Sequence, residues 1–121
     1  LRQLLDRVED EATGKMKLDG LYVDIPAERL TQAKKAAEVL GDEIFDKFPL
    51  VSGLKPMGED NVDRVLNRTW RPALSITGVD GMPPLSSAGN VLRPHTAVKL
   101  SLRIPPTLDG EAGGKLLRDT C

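Results

Sequence analysis

The sequence predicts an α+β fold: an antiparallel β-sheet with helices on one face. Two alternating segments carry this prediction. In 98–104 the even positions are apolar and the odd ones polar, and a shorter alternation occupies Pro72 to Val79. Such alternation is typical of strands with one face on a core and the other exposed. A third observation is that apolar residues recur at helical spacing on both sides of the two strands.

The N-terminal half is predicted to be mostly helical. Residues 1–12 have the apolar spacing of an amphipathic helix, which Thr13 and Gly14 would end. Residues 17–25 form a short candidate strand, because Leu, Tyr and Val in succession favour β-structure. A helix then begins after Pro26 and continues to about Phe48, although Gly41 could interrupt it.

The C-terminal half is predicted to contain the sheet. A loop over 49–60 leads to a short helix over 61–68, and the residues Asp80 to Asn90 form a long loop between the two strands. A last helix covers Thr107 to Thr120, with Thr107 or Asp109 as its N-cap. This order fits a ferredoxin-like βαββαβ unit that lacks its first strand. The edges of the remaining sheet would be exposed and would need to be paired or covered.

Composition limits the function. The 121 residues form a single domain (1–121) and include 17 Lys and Arg against 18 Asp and Glu. This balance argues against general binding of nucleic acid or anionic membranes. One Cys and one His do not make an ordinary zinc site, so no metal ligand is expected here. The lone Cys121 is compatible with a cytoplasmic location. Because the chain begins with Leu1, we expect it to be a fragment of a longer protein.

Three motifs carry a resemblance to a known family. They are Thr-Trp-Arg-Pro-Ala-Leu-Ser-Ile-Thr-Gly-Val-Asp-Gly (69–81), Ser-Ala-Gly-Asn-Val-Leu-Arg-Pro (87–94) and Lys-Leu-Ser-Leu-Arg (99–103). Together they resemble the lid, or dimerisation, domain of the dizinc metallopeptidases, a family that includes carnosinase-type dipeptidases, aminoacylases, acetylornithine deacetylase and succinyl-diaminopimelate desuccinylase. The specific motifs lie within 69–112, and residues 1–68 match only in layout.

The resemblance implies where the chemistry would lie. Two zinc ions and the general base would belong to a separate catalytic domain, so this chain would supply no catalytic residue and no metal ligand. Asn90 and Arg103 match the family's substrate-binding Asn and Arg, thirteen residues apart, and Gly89 could allow a close approach of the substrate. Independently, an Arg on the polar face of a strand can bind a carboxylate through two parallel hydrogen bonds. Arg103 could instead be solvated, and Asn90 could simply stabilise a turn.

The expected function is therefore that of a substrate-binding and dimerisation lid of a zinc-dependent dipeptidase or amidohydrolase. The partners would be a second copy, bound through the sheet edge and a helix, and a small peptide or acylated amino acid. A fragment of this kind should be inactive alone. The alternative is a non-enzymatic oligomerisation or binding module with the same fold.

Overall fold

The computed structural model describes all residues, 1–121, as five helices and one two-stranded antiparallel sheet. The α+β prediction is confirmed, whereas the ferredoxin-like arrangement of further strands stays a prediction. No helix is long and apolar enough to cross a membrane. The elements, in chain order, are α1 (Arg2–Val8), a 3₁₀ turn (Asp19–Leu21), α2 (Ala27–Leu40), α3 (Glu43–Asp46), α4 (Asn61–Thr69), β1 (Ala73–Asp80), a second 3₁₀ turn (Leu85–Ser87), β2 (Ala97–Arg103) and α5 (Gly110–Thr120).

Strands β1 and β2 pair from Ala73 opposite Arg103 to Asp80 opposite Ala97. The pairing slips by one residue at Thr77, so this position is a β-bulge. Along β2 half-buried and exposed residues alternate throughout, as the apolar–polar pattern predicts. One face of the hairpin therefore covers a core, and the other is open.

A small core lies beneath the hairpin. Val8, Met16 and Leu21 are buried together, and Val8 and Leu21 have no exposed surface. The partly buried side chains packed on them come from the hairpin, from α5 and from the segments that flank these elements: Leu18, Leu74, Leu102, Ile104, Leu108, Leu116 and Leu117. Helix α5 begins where Asp109 caps it, since the Asp109 carboxylate accepts from the Ala112 N–H at 2.8 Å.

Helices α2, α3 and α4 pack together as a second group. Their buried residues are Ala33, Ala37, Ile44 and Leu66. The helix predicted to reach Phe48 is in fact two helices, because Gly41 ends α2 with a positive φ of 50°. Such a backbone angle is far easier for glycine than for other residues, so the interruption at this position has a direct steric cause.

The strand predicted over 17–25 is wrong. The N–H groups of Leu21 and Tyr22 bond to the carbonyls of Leu18 and Asp19, so this backbone closes a local turn and does not join a sheet. The first helix is also shorter than predicted and ends at Val8. After it, the chain turns back so that Glu9 and Met16 form one isolated antiparallel bridge.

Candidate functional site

Arg103 is the last residue of β2 and lies on the open face of the hairpin. Its partner on β1 is Ala73, which offers no polar group. None of the four ion pairs in the structure includes Arg103. An exposed guanidinium with no carboxylate partner retains its full capacity to bind an incoming carboxylate in a bidentate manner.

Gly89 and Asn90 lie in the exposed loop that connects the two strands. The Val91 N–H donates to the Gly89 carbonyl at 3.0 Å, so Asn90 is the central residue of a three-residue turn. The Asn90 φ is not positive. A Cβ built on Gly89 would meet no atom within 4 Å, and its φ is also not among the positive ones. The loop therefore places no steric demand for glycine at position 89.

The strand keeps Arg103 away from the point where this loop joins the sheet. The loop enters β2 at Ala97, and Arg103 follows at the other end of the strand. Six residues of extended chain span about 20 Å. No hydrogen bond connects Arg103 to Asn90, so the two substrate-binding candidates stand as separate groups in this structure.

The residues of this chain do not fit a zinc site. His95 Nε2 lies 3.6 Å from an Asp80 carboxylate oxygen, and both side chains are largely exposed. Nowhere do three His, Cys, Asp or Glu side chains gather as a metal ion would need. Structural zinc has four ligands and catalytic zinc three protein ligands, so this pair is incomplete.

A group of arginines that the sequence reasoning missed lies along α4. Arg64 and Arg68 are one helical turn apart, and Arg71 follows just after the helix, so the three share one side of it. The Arg64 guanidinium carbon lies 5.0 Å from the Phe45 ring centre, and that of Arg68 lies 6.0 Å from the Phe48 ring centre. The i, i+4, i+7 spacing of arginine was the available sequence signal.

Two hollows adjoin this side of α4. The apolar hollow, about 250 Å³, is lined by Arg64 and Arg68 together with Ile44, Phe45, Phe48, Leu50 and Pro56. The polar hollow, about 470 Å³, is lined by side chains that include Lys15, Asp19, Tyr22 and Arg71. Both hollows share Met57, Asn67 and Ala73. We call the two together the α4 groove.

Hydrogen bonds fix the polar side of the groove. Arg71 Nη1 donates to Asp63 Oδ1 at 2.7 Å and to Asn67 Oδ1 at 2.9 Å. The hydrogen bond from Arg71, helped by the Glu59 N–H, lowers the pKa of Asp63. Partial burial raises the pKa of Tyr22, whose hydroxyl donates to the Met16 carbonyl at 3.0 Å. Asp63 is thus an ionised partner of Arg71 at neutral pH.

No protein-family model matches this chain. The Cys-Gly metallodipeptidase DUG1 of Saccharomyces cerevisiae is 30% identical over 122 residues, which is all of this chain and 25% of that protein. The chain therefore spans about a quarter of the length of this curated relative.

Two solved structures share the fold. One is the M20 family metallo-carboxypeptidase Sso-CP2 from Sulfolobus solfataricus, with a TM-score of 0.67 and 14% identity over 98% of this chain and 31% of that one. The other is human carnosine dipeptidase 1, with a TM-score of 0.61 and 24% identity over 97% of this chain and 26% of that one. The predicted resemblance to this metallopeptidase family is confirmed, over about a quarter to a third of the length of its members.

Proposed function

We propose that this chain, whose whole length is similar to about a quarter of such metallopeptidases, is the substrate-binding and dimerisation lid of a zinc-dependent dipeptidase or amidohydrolase. Its substrates would be small peptides or acylated amino acids. The activity of the yeast relative, a Cys-Gly metallodipeptidase, supports a dipeptide substrate. Residues 1–121 of this sequence would be one domain of a longer, cytoplasmic enzyme. The zinc would be held outside this chain, since the residues here do not fit it.

The observation that carries the proposal is that the Arg103 side chain is exposed and has no acidic partner. Its side chain is exposed on the open sheet face, opposite alanine, and no acid neutralises it. A guanidinium in that setting would bind the carboxylate of a substrate through two charge-assisted hydrogen bonds. Asn90 would offer an amide donor and an acceptor to the substrate backbone, and the open backbone at Gly89 would let the substrate approach.

A kinetic experiment tests the Arg103 role. In the longer enzyme that carries this domain, Arg103→Ala should lower kcat/KM for a dipeptide by about two powers of ten, because charge-assisted hydrogen bonds are worth several kcal/mol in a closed site. The matched control is Arg118→Ala, which removes an exposed arginine from α5. Wild-type kinetics in Arg103→Ala would refute the role.

The dimerisation part of the proposal is supported by the unpaired edges of the sheet. Strands β1 and β2 pair only with each other, so each leaves its outer edge free. Ile76 and Val79 on β1 are more than half exposed. A second copy paired along a sheet edge and covered by a helix would satisfy the backbone groups and bury these side chains.

A further inference from the structure

We propose that the α4 groove binds a peptide segment of a partner protein, and that this segment carries both carboxylates and large apolar side chains. The two hollows of the groove offer different chemistry within a short distance. One is apolar and lies between two arginines, and the other contains Lys15 and Arg71. Arg103 lines neither hollow, although its strand partner Ala73 lines both.

The charge of the two helical arginines is held in place but not neutralised. The Arg64 guanidinium donates to Asn61 Oδ1 at 2.6 Å and to the Gly58 carbonyl at 3.2 Å, and the Nε of the same side chain is buried without a partner. Arg68 donates to the Ile44 carbonyl at 3.3 Å. All these acceptors are neutral, so a carboxylate would meet positioned cations with no internal competitor.

The polar hollow adds positive charge. Lys15 takes part in no ion pair, while Arg71 is paired with Asp63 and Asp19 is the acidic residue of the lining. The net charge along the groove therefore stays positive even after these two acids are counted. A positively charged groove favours an acidic ligand, and the attraction between the two weakens as salt is added.

Apolar surface beside the arginines indicates a peptide rather than an ion alone. Phe48 and Met57, which line the groove, are 55% and 49% exposed. Arg64 and Arg68 are four residues apart on α4, about 6 Å along its axis, and Arg71 lies beyond the end of the helix. An extended segment of three or four residues, about 10–13 Å long, exceeds that rise. A segment with large apolar residues flanked by carboxylates fits both hollows.

Binding of a labelled peptide tests the proposal. The probe is fluorescein-labelled Asp-Glu-Leu-Phe-Asp-Glu, measured by fluorescence anisotropy against this 121-residue chain. We expect it to bind at least ten times more tightly than Asn-Gln-Leu-Phe-Asn-Gln, which lacks the charges, and than Asp-Glu-Ser-Ser-Asp-Glu, which lacks the apolar anchors. Equal binding of all three peptides, or no binding of the first, would overturn the proposal.

Variants locate the site. Arg64→Gln with Arg68→Gln should weaken binding at least tenfold, whereas Lys34→Gln with Lys35→Gln, an equal loss of charge at two exposed positions of α2, should not. Arg68 is exposed, so Arg68→Gln alone is the test if the double variant is poorly folded, and it should cause an intermediate loss of peptide affinity. An equal loss of peptide affinity in the lysine variant would mean that the peptide is held by general charge attraction, and would refute the groove as its binding site.

The apolar half has its own matched pair. Phe48→Ser should weaken binding at least fivefold, whereas Leu85→Ser, at a side chain 98% exposed in the strand-connecting loop, should leave it unchanged. Arg118→Ala, which removes an exposed arginine of α5 that lines neither hollow, should also leave peptide binding unchanged. If N-acetylphenylalanine competes as strongly as the unlabelled peptide, the groove is a small-molecule site and a peptide partner is refuted.

Discussion

At the scale of single residues, Asp63 and Arg71 form the least exposed ion pair of the chain. Arg71 lowers the pKa of the Asp63 carboxyl in the folded state. A carboxyl whose folded pKa lies below its unfolded value, about 3.9, stabilises the fold fully at higher pH. That stabilisation is lost as the pH falls through 4 and then through the lower folded pKa, because the unfolded chain binds the proton more tightly.

Asp63→Asn should therefore make stability less sensitive to acid. We expect the free energy of unfolding of the wild type, measured by urea titration between pH 7 and pH 3, to fall more steeply below pH 5 than that of the variant. Asp24→Asn, at an exposed aspartate with no ion pair, is the control and should keep the wild-type slope. Parallel curves for wild type and Asp63→Asn would contradict the assigned role.

The exposure of a side chain could be predicted from the sequence where it lies in a regular strand. The alternation around Arg103 alone predicts that its side chain projects from the open face, and the structure agrees. The arginines of α4 were missed because their significance depends on Phe45 and Phe48, which approach from another helix and its following loop. Such contacts depend on tertiary packing and have no local sequence signature.

At the scale of elements, Gly81 directly follows β1, where the chain leaves the hairpin. Gly81 has a φ of 75°, and a Cβ at this position would lie 2.4 Å from the His95 carbonyl oxygen. The two ends of the long connecting loop therefore touch through their backbones just beyond the last pair of the hairpin. A larger residue would have to push these chain segments apart.

Gly81→Ala should destabilise the chain by about 2–4 kcal/mol, since it adds a backbone clash to the cost of a positive φ. The control is Gly53→Ala, which has a φ of 87° and open space around the added Cβ. That variant should cost only about 1 kcal/mol, the conformational penalty alone. Thermal unfolding followed by circular dichroism measures both. Equal effects at the two positions would show that the contact with His95 is unimportant.

Elements with a strong periodic pattern could be predicted, and those fixed by local turns could not. Strand β2 and helices α4 and α5 occur within a few residues of their predicted positions. The segment 17–25 has strand-like composition, yet Leu21 is buried in the core as part of a turn. Tertiary burial of one leucine outweighs the β-propensity of its neighbours.

At the scale of the whole molecule, the chain exposes more surface than its mass requires. Its accessible surface is 9097 Å², whereas a compact monomer of this mass exposes about 6,400 Å². The difference exceeds the roughly 800 Å² that each partner buries in a standard protein interface. Only 10 of 121 residues are buried, so the stability of the fold should depend on further contacts.

The proposed homodimer would use part of this surface. In sedimentation equilibrium we expect the chain to associate as a dimer, and Ile76→Lys to weaken that association at least tenfold, because a buried lysine without a partner is costly. Ser75→Lys, on the opposite face of the same strand, is the control for added charge. Val79→Lys provides a second test at the far end of β1. A wild-type chain that stays monomeric at high concentration would contradict the dimer.

Arg103 as the carboxylate-binding residue of the lid is tested most directly by pairing the variant with a change in the substrate. In the longer enzyme, kcat/KM is measured for wild type and Arg103→Ala with a dipeptide and with the same dipeptide amidated at its C-terminus. The account predicts a loss of about a hundredfold for the free carboxylate and less than about threefold for the amide, since only the first substrate has the charge that the guanidinium binds. An equal loss with both substrates would contradict it.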